Sequence, residues 1–172
     1  MHGIHNCGEF WQTIKQQKTS GHLMTSNLRD LLSATQQFEF ATSAGRALHK
    51  KMQKIVIYPN GDTCGDRELV AKIKSTPGIA DFFSPHARTE IPIAGMLNKK
   101  FVSRRIDRII VDNDKNIVKI MDYKTDLNHE LMRNMYISQL SEYAQLLRDI
   151  YPNHTIHGYI LWTSDFTLDQ VI

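Results

Sequence analysis

The sequence predicts an α/β (α+β) domain in which helices flank a central mixed β-sheet with an antiparallel meander. Three observations point there. Before Pro85, apolar residues recur at helical spacing, with Ala47, Leu48, Met52, Ile55 and Val56 on one stripe. After Pro85 the period becomes that of strands, in three apolar runs joined by short polar turns. A further helical stretch then separates the third run from a fourth, which suits a fourth strand parallel to a neighbour.

In chain order, residues 1–40 read as an N-terminal helical extension or linker. Glu9 to Gln17 suggests a short helix with Phe10, Trp11 and Ile14 on one side, and Ser26 or Asn27 caps a second carrying Leu28, Leu31 and Leu32. Residues 41–172 form the main domain. A longer helix is predicted from Ser43 to about Ile57, ended by Pro59-Asn60-Gly61-Asp62. Arg67 to Ser75 forms the next, capped by Asp66 and stopped before Pro77-Gly78, and Gly78 to Phe83 adds a turn. The predicted strands are Thr89–Met96, Phe101–Val111 and Ile117–Tyr123. Their connections, at Asn98-Lys99-Lys100 and from Asp112 to Asn116, are short enough for antiparallel hairpins. A helix from about Asn134 to Ile150 ends at Pro152-Asn153. Thr155–Thr163 is the fourth strand, and Leu168–Ile172 a short edge.

The chain has 172 residues, 41% hydrophobic and 23% charged, enough for one domain with a proper core. No apolar run approaches the roughly 18 residues of a membrane span, and the start lacks a basic-then-apolar leader, so a cytoplasmic protein with no membrane partner is expected. Cys7 and Cys64 alone supply neither a Cys₄ zinc site nor an iron–sulfur cluster. No phosphate-binding G-x-x-x-x-G-K-[ST] loop, G-x-S-x-G or H-E-x-x-H is present. The net charge of +3 permits an anionic partner. Lys99, Lys100, Arg104, Arg105 and Arg108 gather in one run, which reads either as a local field for phosphates or as ordinary edge protection.

Chemistry gathers in Arg105-Ile106-Asp107-Arg108-Ile109 and Ile120-Met121-Asp122-Tyr123-Lys124-Thr125. Strand period two puts Asp122 and Lys124 on one side, and one strand plus a turn separates Asp107 from Asp122, so they can meet across a hairpin. Two close carboxylates suit a hard divalent cation, and a nearby ammonium suits developing negative charge. The same acids could equally pair with Arg105, Arg108 or Lys124. His49 is a candidate third ligand or a structural histidine; its imidazole suits Mn²⁺ better than Mg²⁺. Gln139 and Tyr143 share a helix face, where they could hold a phosphate or simply pack. Glu90 reaches the same pocket or forms a cross-strand ion pair.

Taken together with Gln139-Leu140-Ser141-Glu142-Tyr143, these motifs resemble, in this order, the RecB-like branch of the PD-(D/E)XK nucleases. The resemblance is closest to the C-terminal nuclease domain of AddA in AddAB-type helicase–nucleases. Gly45-Arg46-Ala47-Leu48-His49, Glu90-Ile91-Pro92-Ile93-Ala94-Gly95, Tyr151-Pro152 and Leu161-Trp162-Thr163 extend it over about residues 40–172. It implies a restriction-endonuclease-like core and a Mg²⁺- or Mn²⁺-dependent deoxyribonuclease of exonuclease type, acting in DNA double-strand break repair or recombination. It implies Asp107, Asp122, His49 and the Tyr123 backbone carbonyl as metal ligands, with Lys124 assisting the attacking water. Glu90, Arg105, Gln139 and Tyr143 would shape the site or hold DNA, as a single strand or a duplex end. Ile106 replaces the proline of the eponymous motif, as is usual in this branch. The family domain usually ends a long helicase chain and no helicase is present in these residues, so the chain reads as a free-standing relative, a split gene product with a separately encoded helicase subunit as partner, or an excised domain. The alternative is a non-catalytic module that binds DNA or docks on such a subunit.

Overall fold

A computed structural model describes residues 43–172. The helices expected at Glu9–Gln17 and after Ser26 lie outside the described residues. Helix α1 covers 43–53, short of the expected end at Ile57. Val56–Ile57 instead forms β1, paired antiparallel with Thr63–Cys64, β2. Consecutive β-branched residues ahead of a Pro-Asn-Gly turn favour a hairpin over another helical turn. Helix α2, Arg67–Ser75, starts where expected, because the Asp66 carboxylate accepts the N–H groups of Glu68 at 3.1 Å and Leu69 at 3.3 Å. A 3₁₀ turn, Ala80–Phe83, follows.

The main sheet runs in the order β3-β4-β5-β6-β7, with β3 Arg88–Leu97, β4 Lys100–Asp112, β5 Ile117–Lys124, β6 Thr155–Trp162 and β7 Thr167–Gln170. The pairs β3–β4 and β4–β5 are antiparallel, β5–β6 is parallel and β6–β7 antiparallel. This is the mixed sheet with an antiparallel meander and flanking helices that the sequence predicts, consistent with a restriction-endonuclease-like core. Asn98 and Lys99 close the first hairpin with φ of 49° and 63°, as a two-residue primed turn requires. Helix α3, His129–Ile150, is the crossover between the parallel strands. It begins more than a turn before the expected Asn134, because Asn128 caps it by accepting the Leu131 N–H at 3.1 Å. Exposed Leu131 obscures that turn in the apolar pattern.

Helix α3 covers one sheet face, where Leu140 and Leu147 pack with Ile93, Val118, Ile120, Ile156 and Ile160. On the other face, Met52 of α1, Ile55 just after it, Ile73 of α2 and the Phe82–Phe83 pair enclose Met121, Tyr123 and Leu161. Strand β5 alternates cleanly between the two cores. Strand β4 does not: Ile106 and Ile109 both join the α3-side core, although regular pleating sends positions three apart to opposite faces. The alternation therefore slips at Asp107-Arg108. Opposite this slip the β3–β4 ladder omits Glu90, whose φ is 54°, a conformation that a non-glycine residue holds only when its surroundings impose it. Among the described residues, no helix is long and apolar enough to cross a membrane.

Candidate active site

The slip in β4 sets the site. The β4–β5 ladder stops at Arg108↔Met121, and the next rung would face Asp107 to Asp122. In place of a backbone rung, Oδ2 of Asp107 accepts the Tyr123 N–H at 2.9 Å. The N–H and C=O of a strand residue point the same way, so the Tyr123 carbonyl also faces this gap. Asp107 and Asp122 are both buried. From the other side of the sheet, α1 brings His49, whose Nδ1 lies 3.6 Å from Oδ2 of Asp107 and whose ring meets Tyr123 edge-on.

Asp122 and Lys124 share a side, as strand period requires. The Lys124 ammonium forms an ion pair with Oδ2 of Asp122 at 2.6 Å, and no other group bonds this buried oxygen. Lys124 donates to Oε1 of Gln139 at 3.0 Å and sits 4.1 Å over the Tyr136 ring. Gln139 in turn donates to Oδ1 of Asp122 at 3.3 Å and bonds the Tyr143 hydroxyl. Tyr143 packs in the core, the second of the two alternatives its sequence position left open, and its hydroxyl bonds Gln139. Burial, chiefly, pushes its phenol up to about 12.

The electrostatics are those of two carboxylates crowded together out of water. Burial above all, and then repulsion from Asp122, pushes the Asp107 carboxyl up to about 7, against the opposing pull of the Tyr123 N–H. Burial lowers the pKa of His49, which leaves a neutral imidazole able to ligate. Two buried carboxylates, a neutral imidazole and the Tyr123 carbonyl beside it are oxygen and nitrogen donors that fit a hard divalent ion of the Mg²⁺ or Mn²⁺ kind. The set is not closed: no three His, Cys, Asp or Glu side chains among the described residues already form a ligand cage.

Other expectations come out differently. Glu90 forms an ion pair with Arg105 at 2.5 Å, the cross-strand alternative, and still lies close enough to add to the repulsion on Asp107. The basic run is not one positive patch. Arg104 pairs with Glu142 at 2.7 Å, and Arg108 is not a surface residue at all: it is 1% exposed. Its guanidinium donates to the carbonyls of Phe82 at 2.8 Å, Met52 at 2.6 Å and Ile55 at 2.9 Å, and to the Tyr123 hydroxyl, and it stacks 4.0 Å over Phe83. Sequence reading missed this anchor. Its signal was an Asp107-Arg108 pair set between Ile106 and Ile109, an apolar spacing of three that breaks a simple alternating strand. Known protein families and curated proteins were compared with the chain, and none matches.

Proposed function

We propose that this chain is a metal-dependent deoxyribonuclease that hydrolyses phosphodiester bonds at single-stranded or duplex DNA ends, in the manner of the RecB-like enzymes it resembles. The observation that carries this reading is the convergence of Asp107, Asp122, His49 and Lys124 at the point where the β4–β5 ladder stops. Asp107, Asp122, His49 and the Tyr123 carbonyl are the groups that would hold the ion. A bound divalent cation supplies charge neutralisation on the phosphate and a water of lowered pKa.

The side chains themselves do the rest. Gln139 and the Tyr136 ring restrain the Lys124 ammonium, so it can meet either the attacking water or a non-bridging phosphate oxygen with little reorganisation. Gln139 also orients the Asp122 carboxylate by bonding Oδ1, while Oδ2 meets the Lys124 ammonium. Water adds to phosphorus, the P–O bond to the leaving sugar breaks, and the leaving oxygen takes up a proton. A DNA repair or recombination setting, and a separately encoded helicase as partner, follow from the resemblance and belong to the same proposal.

The test uses linear single- and double-stranded DNA with Mn²⁺, with Mg²⁺ and with EDTA. Asp122→Ala and Lys124→Ala should each lower metal-dependent cleavage at least about a hundredfold while leaving the circular dichroism spectrum unchanged. Cleavage by Asp122→Ala at the unmodified rate would end this assignment. Binding without any cutting by the unmodified protein would replace it with the docking-module reading.

A further inference from the structure

The β3–β4 hairpin projects past the rest of the sheet. Strand β5 pairs with β4 only from Arg108 to Asp112, whereas β3 stays paired with β4 out to Lys100. One face of this ribbon lies under α3. A Cβ on Gly95 would stand 2.8 Å from Cδ2 of Leu146. Among the described residues, the opposite face has no such cover. It carries the cross-strand pairs Pro92↔Arg105, Ala94↔Ser103 and Met96↔Phe101, and all six residues are exposed. Phe101 is 71% exposed and Met96 58%, side by side near the tip. Lys99 and Lys100 are exposed at the turn beside them. At the other end, Arg105 meets Glu90, the residue that the ladder skips between Thr89↔Arg108 and Ile91↔Ile106, opposite Asp107. Four residues of strand, roughly 13 Å, therefore connect a bare aromatic to the edge of the candidate site.

We infer that this ribbon face is a track for an unpaired DNA strand, with Phe101 stacking on a base and Lys99, Lys100 and Arg105 meeting phosphates on the way to Asp107. The inference rests on the nuclease reading for the direction of the strand, but binding itself does not need cleavage. Three features choose this occupant. An exposed aromatic flanked by cations is the combination that holds single strands, since every base offers a π-face. In a duplex those faces are already stacked. The apolar part is two large side chains, Met96 and Phe101, with the smaller Pro92 and Ala94 beside them, too small for the core of a stable protein interface. Twofold pairing of the face with a second copy would also oppose Lys99, Lys100 and Arg105 to the same charges.

The test reads binding by fluorescence anisotropy with the full chain in EDTA, using a fluorescein-labelled thymidine oligonucleotide and a blunt duplex of equal length. Phe101→Ala should weaken binding of the unpaired strand about five- to a hundredfold and change duplex binding less than about twofold. Its melting temperature should stay that of the unmodified protein, since the ring is exposed. Replacing Lys99 and Lys100 by alanine should flatten the slope of log affinity against log salt by about 1.4, or about 0.7 for each phosphate left without its lysine. Unchanged strand binding by Phe101→Ala would overturn the track, as would an equal loss on duplex. A dimer in size-exclusion chromatography that Phe101→Ala turns into a monomer would assign the face to a second copy instead. Because Asp122 and Lys124 are untouched, failure here and failure of the cleavage assay are separate results.

Discussion

Asp107 carries the clearest electrostatic signature in the molecule. Burial and Asp122 raise its pKa from the ordinary 3.8 to about 7. Between those values the folded chain keeps a proton that the unfolded chain has released. Stability in the absence of metal therefore falls as pH rises through this window, by at most about 1.4 kcal/mol per pH unit. His49 acts in the opposite sense. Its lowered pKa means the unfolded chain takes up the proton first, so its contribution is lost as pH falls below about 6.5. Comparison with Asp107→Asn separates the two. In EDTA, urea denaturation should show the unmodified protein losing stability relative to Asp107→Asn as pH rises from about 4 to about 7. A constant difference across that range would mean that the Asp107 carboxyl is not held protonated.

At the scale of elements, the placement of α1 decides whether His49 reaches the carboxylates. No carboxylate balances the Arg108 guanidinium among its hydrogen-bond partners. Instead it takes the carbonyls that the end of α1 and the following turn leave open, at Met52 and Ile55, where the helix dipole favours a cation. The same group ties in the 3₁₀ turn at Phe82 and the Tyr123 ring of β5. Arg108→Met would fill a similar volume but leave several buried carbonyls without a donor. At roughly 1–3 kcal/mol for each unsatisfied group, the loss should be at least about 3 kcal/mol by urea denaturation. A loss below about 1 kcal/mol would mean that packing alone seats α1.

At the scale of the whole molecule, the site joins both cores. The α3 side supplies Gln139 and Tyr143, the α1 side supplies His49, and the strands between them supply the carboxylates and Lys124. A cation that satisfies this pocket should stabilise the native state as a unit. Mn²⁺ at a hundred times its dissociation constant contributes about 2.7 kcal/mol, which raises the melting temperature by about 5 °C or more for a chain of this size. Asp107→Asn combined with Asp122→Asn should remove that rise. An equal rise in the double variant would place the ion elsewhere.

The linear chain was enough to determine the strand meander, the Asp66-capped helix, the parallel return after α3 and the shared side of Asp122 and Lys124. Each of these depends on short-range periodicity or on a cap, which neighbouring residues specify directly. Helix boundaries were less legible, because Val56–Ile57 gains a hairpin partner and the first turn of α3 is exposed. Only the tertiary structure could decide that Arg108 turns inward, that Glu90 pairs with Arg105, and that the β4 alternation slips where Asp107 meets Tyr123. Those outcomes depend on which buried carbonyls and charges lack partners once three elements pack together, a balance that no local pattern of residues encodes.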